Sequence, residues 1–138
     1  MRVVLDAGVL VAASIAPQGV CGRLLDGAIA QRFEIVASPS LLAELEGVLL
    51  RSKFRRWLTE TEARRAVAQI AQLAELHDDP PPEPGLTPDP KDDYLVALAR
   101  ATGADYLISG DQHLTQLADP RPAVLTPRAL LDQLETRP

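Results

Sequence analysis

Short apolar runs alternate along this chain with longer segments of helical pattern, and this alternation limits the folds open to it. Four runs predict strands, at residues 3–5, 33–37, 106–108 and 123–125. Five segments predict helices, at residues 20–31, 39–50, 59–76, 89–103 and 127–134. Because parallel strands are joined by crossovers that usually contain a helix, this order predicts an α/β fold with a parallel sheet covered by helices on both faces.

Capping residues mark several helix boundaries. Ser38 followed by Pro39 is typical of a helix start, because serine accepts a hydrogen bond from a free N–H group and proline suits the first helical position. Thr59 and Glu62 have the spacing of a capping box. Residues 79–89 are rich in proline and predict a loop, and a long irregular loop in a compact domain often has a function.

The length of 138 residues fits one compact domain over residues 1–138. Cys21 is the one cysteine and cannot form an internal disulfide, which points to a reducing compartment. The apolar stretch from Val3 to Ala16 loosely resembles a secretion signal, but Asp6 interrupts it where a signal core tolerates charge poorly. No stretch approaches the ~20 apolar residues of a membrane span. We therefore expect a cytoplasmic protein without a membrane partner.

The formal net charge of −5 restricts how this chain could handle nucleic acid. A protein that holds nucleic acid by charge alone is basic. If this chain acts on a phosphodiester, something must offset its own negative charge, and a divalent cation would do so.

Two aspartates follow predicted strands. Asp6 ends the run 3–5, and Asp111 comes three residues after Ile108. In an open parallel sheet, ligands bind at the carboxyl ends of the strands, so both side chains are expected on one rim. Aspartate also favours turns, and each residue taken alone is more simply a turn residue.

Helical spacing draws attention to Glu44. It lies three residues after Leu41 and four before Val48, which places it on the edge of the apolar stripe of its helix. An unpaired carboxylate is costly there, so the residue needs either a function or a salt bridge to a nearby arginine.

The same spacing separates Asp92 from Asp93. Asp92 shares a face with the apolar residues Leu95 and Val96, whereas Asp93 lies in a row that ends at Arg100 and is interpreted as solvated. Asp92 also suits the first turn of a helix, where a negative charge is favourable. Its predicted inward direction indicates a further role.

Four carboxylates that meet at one rim would repel one another, and a hard divalent cation is the usual compensation. Mg²⁺ and Mn²⁺ prefer oxygen ligands and keep several waters. A site of this kind suits phosphoryl chemistry, because the metal polarises the phosphate and generates a hydroxide nucleophile.

Four stretches of the chain together resemble the PIN-domain family. Residues 3–11, with Asp6 at the end of the first strand, resemble the family's opening, and residues 38–45, with Glu44, look like its second motif. Residues 89–99, with Asp92, resemble the third, and residues 104–114, with Asp111, resemble the fourth and most specific. The resemblance spans nearly the whole chain, with the motifs in order.

This resemblance implies a three-layer α/β/α fold and Mg²⁺- or Mn²⁺-dependent endonuclease activity, usually on RNA. It assigns the metal site to the four acids Asp6, Glu44, Asp92 and Asp111, with Ser109 as a supporting polar residue. Many stand-alone bacterial members are toxins of two-component toxin–antitoxin pairs. The resemblance therefore also implies an RNA substrate, a cognate antitoxin and a homodimer.

One departure keeps a second function open. The family often has a polar pair after its first aspartate, and this chain has Ala7 and Gly8 there. A catalytically weak or inactive PIN-like module that binds RNA or protein is therefore the alternative. An aspartyl-phosphate protein fits poorly, because Gly8 occupies the place of its second aspartate and neither Lys53 nor Lys91 follows a strand.

Residues 51–57 form a basic segment with two aromatic side chains, which could hold an RNA backbone and stack a base. Its candidate RNA contacts are Arg51, Lys53, Arg55 and Arg56. The simpler interpretation is a solvated helix end with Trp57 packed on the core. His113 is a further candidate phosphate contact, although a capping or surface role is the simpler interpretation.

Overall fold

A computed structural model describes residues 1–117 and 121–136, and within them the chain forms five β-strands and seven α-helices. The strands are β1 (Arg2–Leu5), β2 (Glu34–Ala37), β3 (Glu75–Leu76), β4 (Tyr106–Ile108) and β5 (Ala123–Leu125). The helices are α1 (Ala7–Ile15), α2 (Val20–Ile29), α3 (Pro39–Leu49), α4 (Glu60–Leu73), α5 (Asp93–Ala101), α6 (Gln112–Thr115) and α7 (Pro127–Thr136).

The strands form one parallel sheet in the order β3-β2-β1-β4-β5, with β1 at its centre. In register, Val4 of β1 lies between Val36 of β2 and Leu107 of β4. All three side chains are fully buried. Strands that are apolar along their whole length are typical of a sheet covered on both faces, and the predicted α/β fold is confirmed.

The helices pack in two groups around this sheet. α5 packs directly on β1 and β4, while α1 contacts α2 and α3, α3 contacts α4, and α2 contacts α7. The resulting arrangement is the three-layer α/β fold. Its hydrophobic core consists mainly of leucine, valine and alanine side chains from both groups and from the sheet.

The predicted capping signals are confirmed. Ser38 is the N-cap of α3, where its hydroxyl accepts a hydrogen bond from the N–H of Leu41, and Pro39 follows it. Thr59 and Glu62 form both hydrogen bonds of the capping box at the start of α4. Gly103, after α5, has a φ of +66°, a conformation that glycine adopts without strain.

The sequence predicted no helix before residue 20, and its simpler interpretation of Asp6 was a turn residue; this is wrong, because α1 begins at once with Ala7. Five of its nine residues are buried, among them Val9 and Leu10. A helix that is apolar nearly all round carries no amphipathic period, so its sequence did not indicate a helix.

Two further differences concern short elements. The helix predicted to reach Leu76 ends at Leu73, and the chain then forms the two-residue edge strand β3 beside β2. The four-residue helix α6 follows Asp111 and was not predicted. Neither element is long enough to show a repeating apolar pattern.

The described part of the chain has no single helix with the length and apolar composition of a membrane span; only α1 and α2 taken together, at 95° to each other, reach such a composition.

Candidate active site

A pocket of about 430 Å³ opens at the carboxyl ends of β1 and β4. All four of the acids singled out from the sequence line it: Asp6, Glu44, Asp92 and Asp111. They come from four separate segments: Asp6 and Asp111 follow β1 and β4, Glu44 lies in α3, and Asp92 lies in the 3₁₀ turn before α5. The remaining lining includes the apolar side chains of Val9 and Leu95.

Asp6 is fixed by the helix that follows it. Its Oδ1 accepts a hydrogen bond of 2.8 Å from the N–H of Val9, which makes it the N-cap of α1. Burial raises the pKa of Asp6 above its usual value, and the charges of Asp111 and Glu44 add to this effect. Hydrogen bonds from Ser109 and from the N–H of Val9 act in the opposite direction.

Asp111 is held in a similar way on the neighbouring strand. Its Oδ1 accepts a hydrogen bond of 2.8 Å from the N–H of His113, and it is the N-cap of α6. The fully buried Ser109 connects the two aspartates, since its hydroxyl oxygen accepts a hydrogen bond of 3.0 Å from the N–H of Asp111 and its hydroxyl also interacts with Asp6. Ser109 therefore contacts both aspartates and lies where it could support their positions.

The environment of Glu44 differs from the one predicted. Its side chain is exposed at the pocket and does not lie at a buried edge of α3. The hydroxyl of Tyr94, at the start of α5, donates a hydrogen bond to its Oε2. This contact joins α3 to the start of α5. Burial, together with the hydrogen bond to Glu44, raises the pKa of Tyr94 and keeps the hydroxyl protonated as a donor.

Sequence reasoning missed Tyr94. A tyrosine two residues after an acid is not a distinctive signal, and only the folded arrangement shows that its hydroxyl meets Glu44. The ring packs against the hydrophobic core, so its position is set independently of the carboxylate.

Asp92 lies at the end of a short 3₁₀ turn, Pro90–Asp92, and is the N-cap of α5. Its carboxylate is partly buried. Burial and the charges of Asp89, Asp111, Asp6 and Glu44 raise the pKa of Asp92 from 3.8 to about 6. The charges of the other three pocket acids therefore act on this residue directly.

The interpretation of Asp93 as solvated is wrong. Its carboxylate is 8% exposed and accepts hydrogen bonds from the N–H groups of Gly85 and Thr87 and from the hydroxyl of Thr87. The proline-rich loop folds back over the start of α5, which a helical-face argument cannot foresee. Asp93 thus ties the loop to the helix and does not line the pocket.

The basic segment divides into buried and exposed residues. Phe54 is buried, and the guanidinium of Arg55 donates to the carbonyls of Leu49 and Arg51, so Arg55 closes the end of α3 instead of facing solvent as an RNA contact. Trp57 is 48% exposed, which contradicts the interpretation that it packs on the core.

The other predicted RNA contacts remain accessible. Arg51, Lys53, Arg56 and His113 are all exposed. The carboxylate of Asp111 caps the backbone N–H of His113, and the phosphate contact predicted for the His113 side chain stays a prediction.

The donor set fits Mg²⁺ or Mn²⁺ by chemistry, because every candidate ligand is a carboxylate oxygen. In residues 1–117 and 121–136, no three histidine, cysteine, aspartate or glutamate side chains are grouped tightly enough to hold an ion by themselves. Mg²⁺ commonly binds through one or two carboxylates, several waters and substrate phosphates, so an open arrangement is compatible with it.

Ala7 and Gly8, the residues in place of the usual polar pair, both line the pocket. A Cβ at position 8 would lie 3.5 Å from Oδ1 of Asp6, an ordinary contact distance. A polar side chain there would thus have room beside Asp6.

Comparison with known proteins gives a family and a fold. A family profile described as PIN domain matches residues 2–113. An uncharacterized protein of Methanocaldococcus jannaschii, MJ1680, is 26% identical over 119 residues, which are 86% of this chain and 76% of that protein.

Two crystal structures share the fold. PAE2754 from Pyrobaculum aerophilum has a TM-score of 0.68 at 18% identity, over 99% of this chain and 91% of its own. VapBC2 from Rickettsia felis, bound to a DNA fragment from their promoter, has a TM-score of 0.67 at 17% identity, over 91% of this chain and 98% of its own. PIN domains are generally nucleases. With its family profile, its parallel sheet and its acidic pocket, this chain belongs to the PIN-domain family.

Proposed function

We propose that this protein is a Mg²⁺- or Mn²⁺-dependent endoribonuclease that hydrolyses phosphodiester bonds of single-stranded RNA. The observation that carries this proposal is the meeting of Asp6, Glu44, Asp92 and Asp111 in one pocket at the carboxyl end of the sheet. Helix capping accounts for Asp6 and Asp111 one at a time, but not for a pocket shared by four carboxylates, because like charges in proximity disfavour ionisation.

The chain's own residues would hold and orient the reacting groups. Asp6 and Asp111 are fixed by backbone N–H groups, and Ser109 sets their separation. Glu44 is directed by Tyr94, and Asp92 enters from the start of α5. A bound divalent cation would polarise the phosphate and lower the pKa of an attacking water.

The test is incubation of the purified protein with mixed single-stranded RNA in Mg²⁺, in Mn²⁺ and in chelator. We expect cleavage only with a metal and its loss in Asp6→Asn and Asp92→Asn. Asp93→Asn is the matched control, because it removes a carboxylate outside the pocket. Cleavage that survives chelation, or that is abolished in Asp93→Asn but retained in Asp92→Asn, would contradict the proposed site.

We further propose that the protein is the toxin of a type II toxin–antitoxin pair. Its support is the PIN family and a fold shared with VapBC2, a structure that holds promoter DNA. The proposed partners are an RNA substrate, a cognate antitoxin and a second copy of the chain. Induced expression should arrest growth of a host, and co-expression of a neighbouring small reading frame with a DNA-binding N-terminus should relieve the arrest. Arrest by Asp92→Asn as strong as by the wild type would contradict a nuclease toxin.

A second candidate is a catalytically weak PIN-like module. The observation in its favour is the apolar pair Ala7 and Gly8 in the pocket wall. Since position 8 has room beside Asp6, Gly8→Asn should raise cleavage if the missing polar group limits the rate. No metal-dependent cleavage by either protein would favour the binding module.

A further inference from the structure

The segment 51–57 carries a net positive charge, whereas the chain as a whole is negatively charged. It holds four of the 14 lysines and arginines and no acidic residue, in a chain of net charge −5. It starts two residues after the end of α3. α3 also carries Glu44. Because a helix rises about 1.5 Å per residue, the end of α3 lies about 8 Å from Glu44 along the helix axis.

Two residues of this segment anchor it to the fold. Phe54 is buried in the core, and Arg55 donates to the carbonyl of Leu49 at the end of α3. The remaining side chains point outward and are therefore presented on a fixed 3₁₀ turn, Ser52–Arg56. A surface that is ordered before binding loses less entropy when it binds.

Trp57 is the chain's one tryptophan, and 48% of it is exposed. The guanidinium of Arg56 lies 4.8 Å from the centre of its ring. A large apolar ring exposed beside cations is the combination that binds a nucleic-acid strand, because bases stack on the ring and phosphates meet the charges.

We propose that Arg51, Lys53, Arg56 and Trp57 form a docking surface for single-stranded RNA, which we call the Trp57 surface. This inference rests on the proposed function and names where its substrate is held. The acidic pocket repels a polyanion, so the strand needs cationic contacts outside the pocket. The Trp57 surface supplies them, with a stacking site for one unpaired base.

The experiment measures the fluorescence of Trp57 during titration with an oligoadenylate of about a dozen nucleotides, in chelator so that no metal-dependent cleavage occurs. We expect saturable quenching by the single strand and weaker binding of a duplex, whose bases are not free to stack. Trp57→Ala, followed by anisotropy of a labelled strand, should bind about 5- to 100-fold more weakly.

Charge removal gives an independent measurement. In Arg51→Ala/Lys53→Ala/Arg56→Ala, the slope of log affinity against log salt should decrease by about 2, since each lost phosphate contact contributes about 0.7 for a single strand. Arg56→Ala alone should weaken binding, whereas Arg32→Ala should not. Arg32 is an exposed arginine just before β2, at the amino end of the sheet and away from the pocket.

Unchanged Trp57 emission at saturating oligonucleotide would contradict the Trp57 surface, and so would equal affinities of Arg56→Ala and Arg32→Ala for the oligonucleotide. Equal quenching by a polyglutamate peptide would also contradict it, because the surface would then bind an acidic protein. Cleavage of RNA without any response of Trp57 would refute this inference alone. Quenching by RNA without cleavage in Mg²⁺ or Mn²⁺ would refute the proposed activity alone.

Discussion

Replacing Asp92 with asparagine should stabilise the metal-free protein above about pH 6, although Asp92 lies in the candidate active site. The pKa of its carboxyl rises on folding from 3.8 to about 6, because burial and the neighbouring acids disfavour the ionised form. Between these values the unfolded chain releases the proton while the native protein keeps it. The free energy of unfolding therefore falls as the pH rises from about 4 to about 6, and the loss is complete above that range.

The magnitude follows from this rise in pKa. For a carboxyl fully shielded from water it corresponds to about 3 kcal/mol. Asp92 is only partly buried, and solvent screening reduces the effect, so we expect about 1 kcal/mol. Asparagine is neutral at every pH and removes this cost. The melting temperature in chelator at about pH 7.5 should accordingly rise by about 3 °C for a domain of this size.

The neighbouring substitution Asp93→Asn is the matched control and should have the opposite sign. The two oxygens of Asp93 accept hydrogen bonds from Gly85 and from Thr87. An asparagine would present its amide group to one of these donors, and a buried unsatisfied donor costs about 1–3 kcal/mol. Its melting temperature should fall at about pH 7.5.

The assay is thermal melting by circular dichroism between about pH 3.5 and 8, with chelator, for the wild type and both variants. Wild type and Asp92→Asn should converge near the acid end, where the carboxyl is protonated in both states. An Asp92→Asn protein that melts below the wild type at high pH, or a difference independent of pH, would refute the reasoning.

Three other substitutions test separate contacts. Asp6→Asn should melt at a higher temperature than the wild type in chelator and be stabilised less by Mg²⁺, because asparagine keeps the N-cap while removing a buried charge. A lower melting temperature in chelator, or an equal stabilisation by Mg²⁺, would make Asp6 a structural residue only. Tyr94→Phe should weaken Mn²⁺ binding by about tenfold, as measured by electron paramagnetic resonance, but should cause no further loss of affinity in a Glu44→Gln background. Additive losses of affinity would show that Tyr94 does not act through Glu44. Gly22→Ala should lower the free energy of unfolding in urea by about 1–3 kcal/mol, since a Cβ there would lie 2.0 Å from a backbone oxygen. Gly47→Ala, which has open space around it in α3, should leave the free energy of unfolding unchanged or raise it slightly.

The sequence was sufficient to predict a parallel sheet, because four of its strands are apolar runs separated by helical segments, but it did not predict the order of the strands. It was insufficient where an element has no period of its own. α1 is apolar nearly all round and β3 has two residues, so neither produces a pattern that distinguishes it from a turn or a helix end. β3 forms because β2 offers it a neighbouring edge.

The pocket could be predicted in part, because the positions of two of its acids follow from the parallel sheet. Asp6 and Asp111 follow strands whose carboxyl ends share one rim, so topology alone brings them together. The environments of Asp93 and Tyr94 depend instead on where a proline-rich loop and a neighbouring helix come to lie. Tyr94 and Glu44 lie 50 residues apart in sequence, and Asp93 meets an irregular loop, so no periodic spacing encodes either contact.

The distribution of the four acids along the chain has a consequence during synthesis. Asp6 is made before Asp111, and the central strand β1 cannot pair with β4 until residues 106–108 have been made. Because domains fold as units, a nascent chain carries the first three acids on segments that are not yet assembled. A chain that stops before β4 therefore lacks the assembled four-acid pocket, and a partner that recognises the folded pocket could bind only after Asp111 has been made.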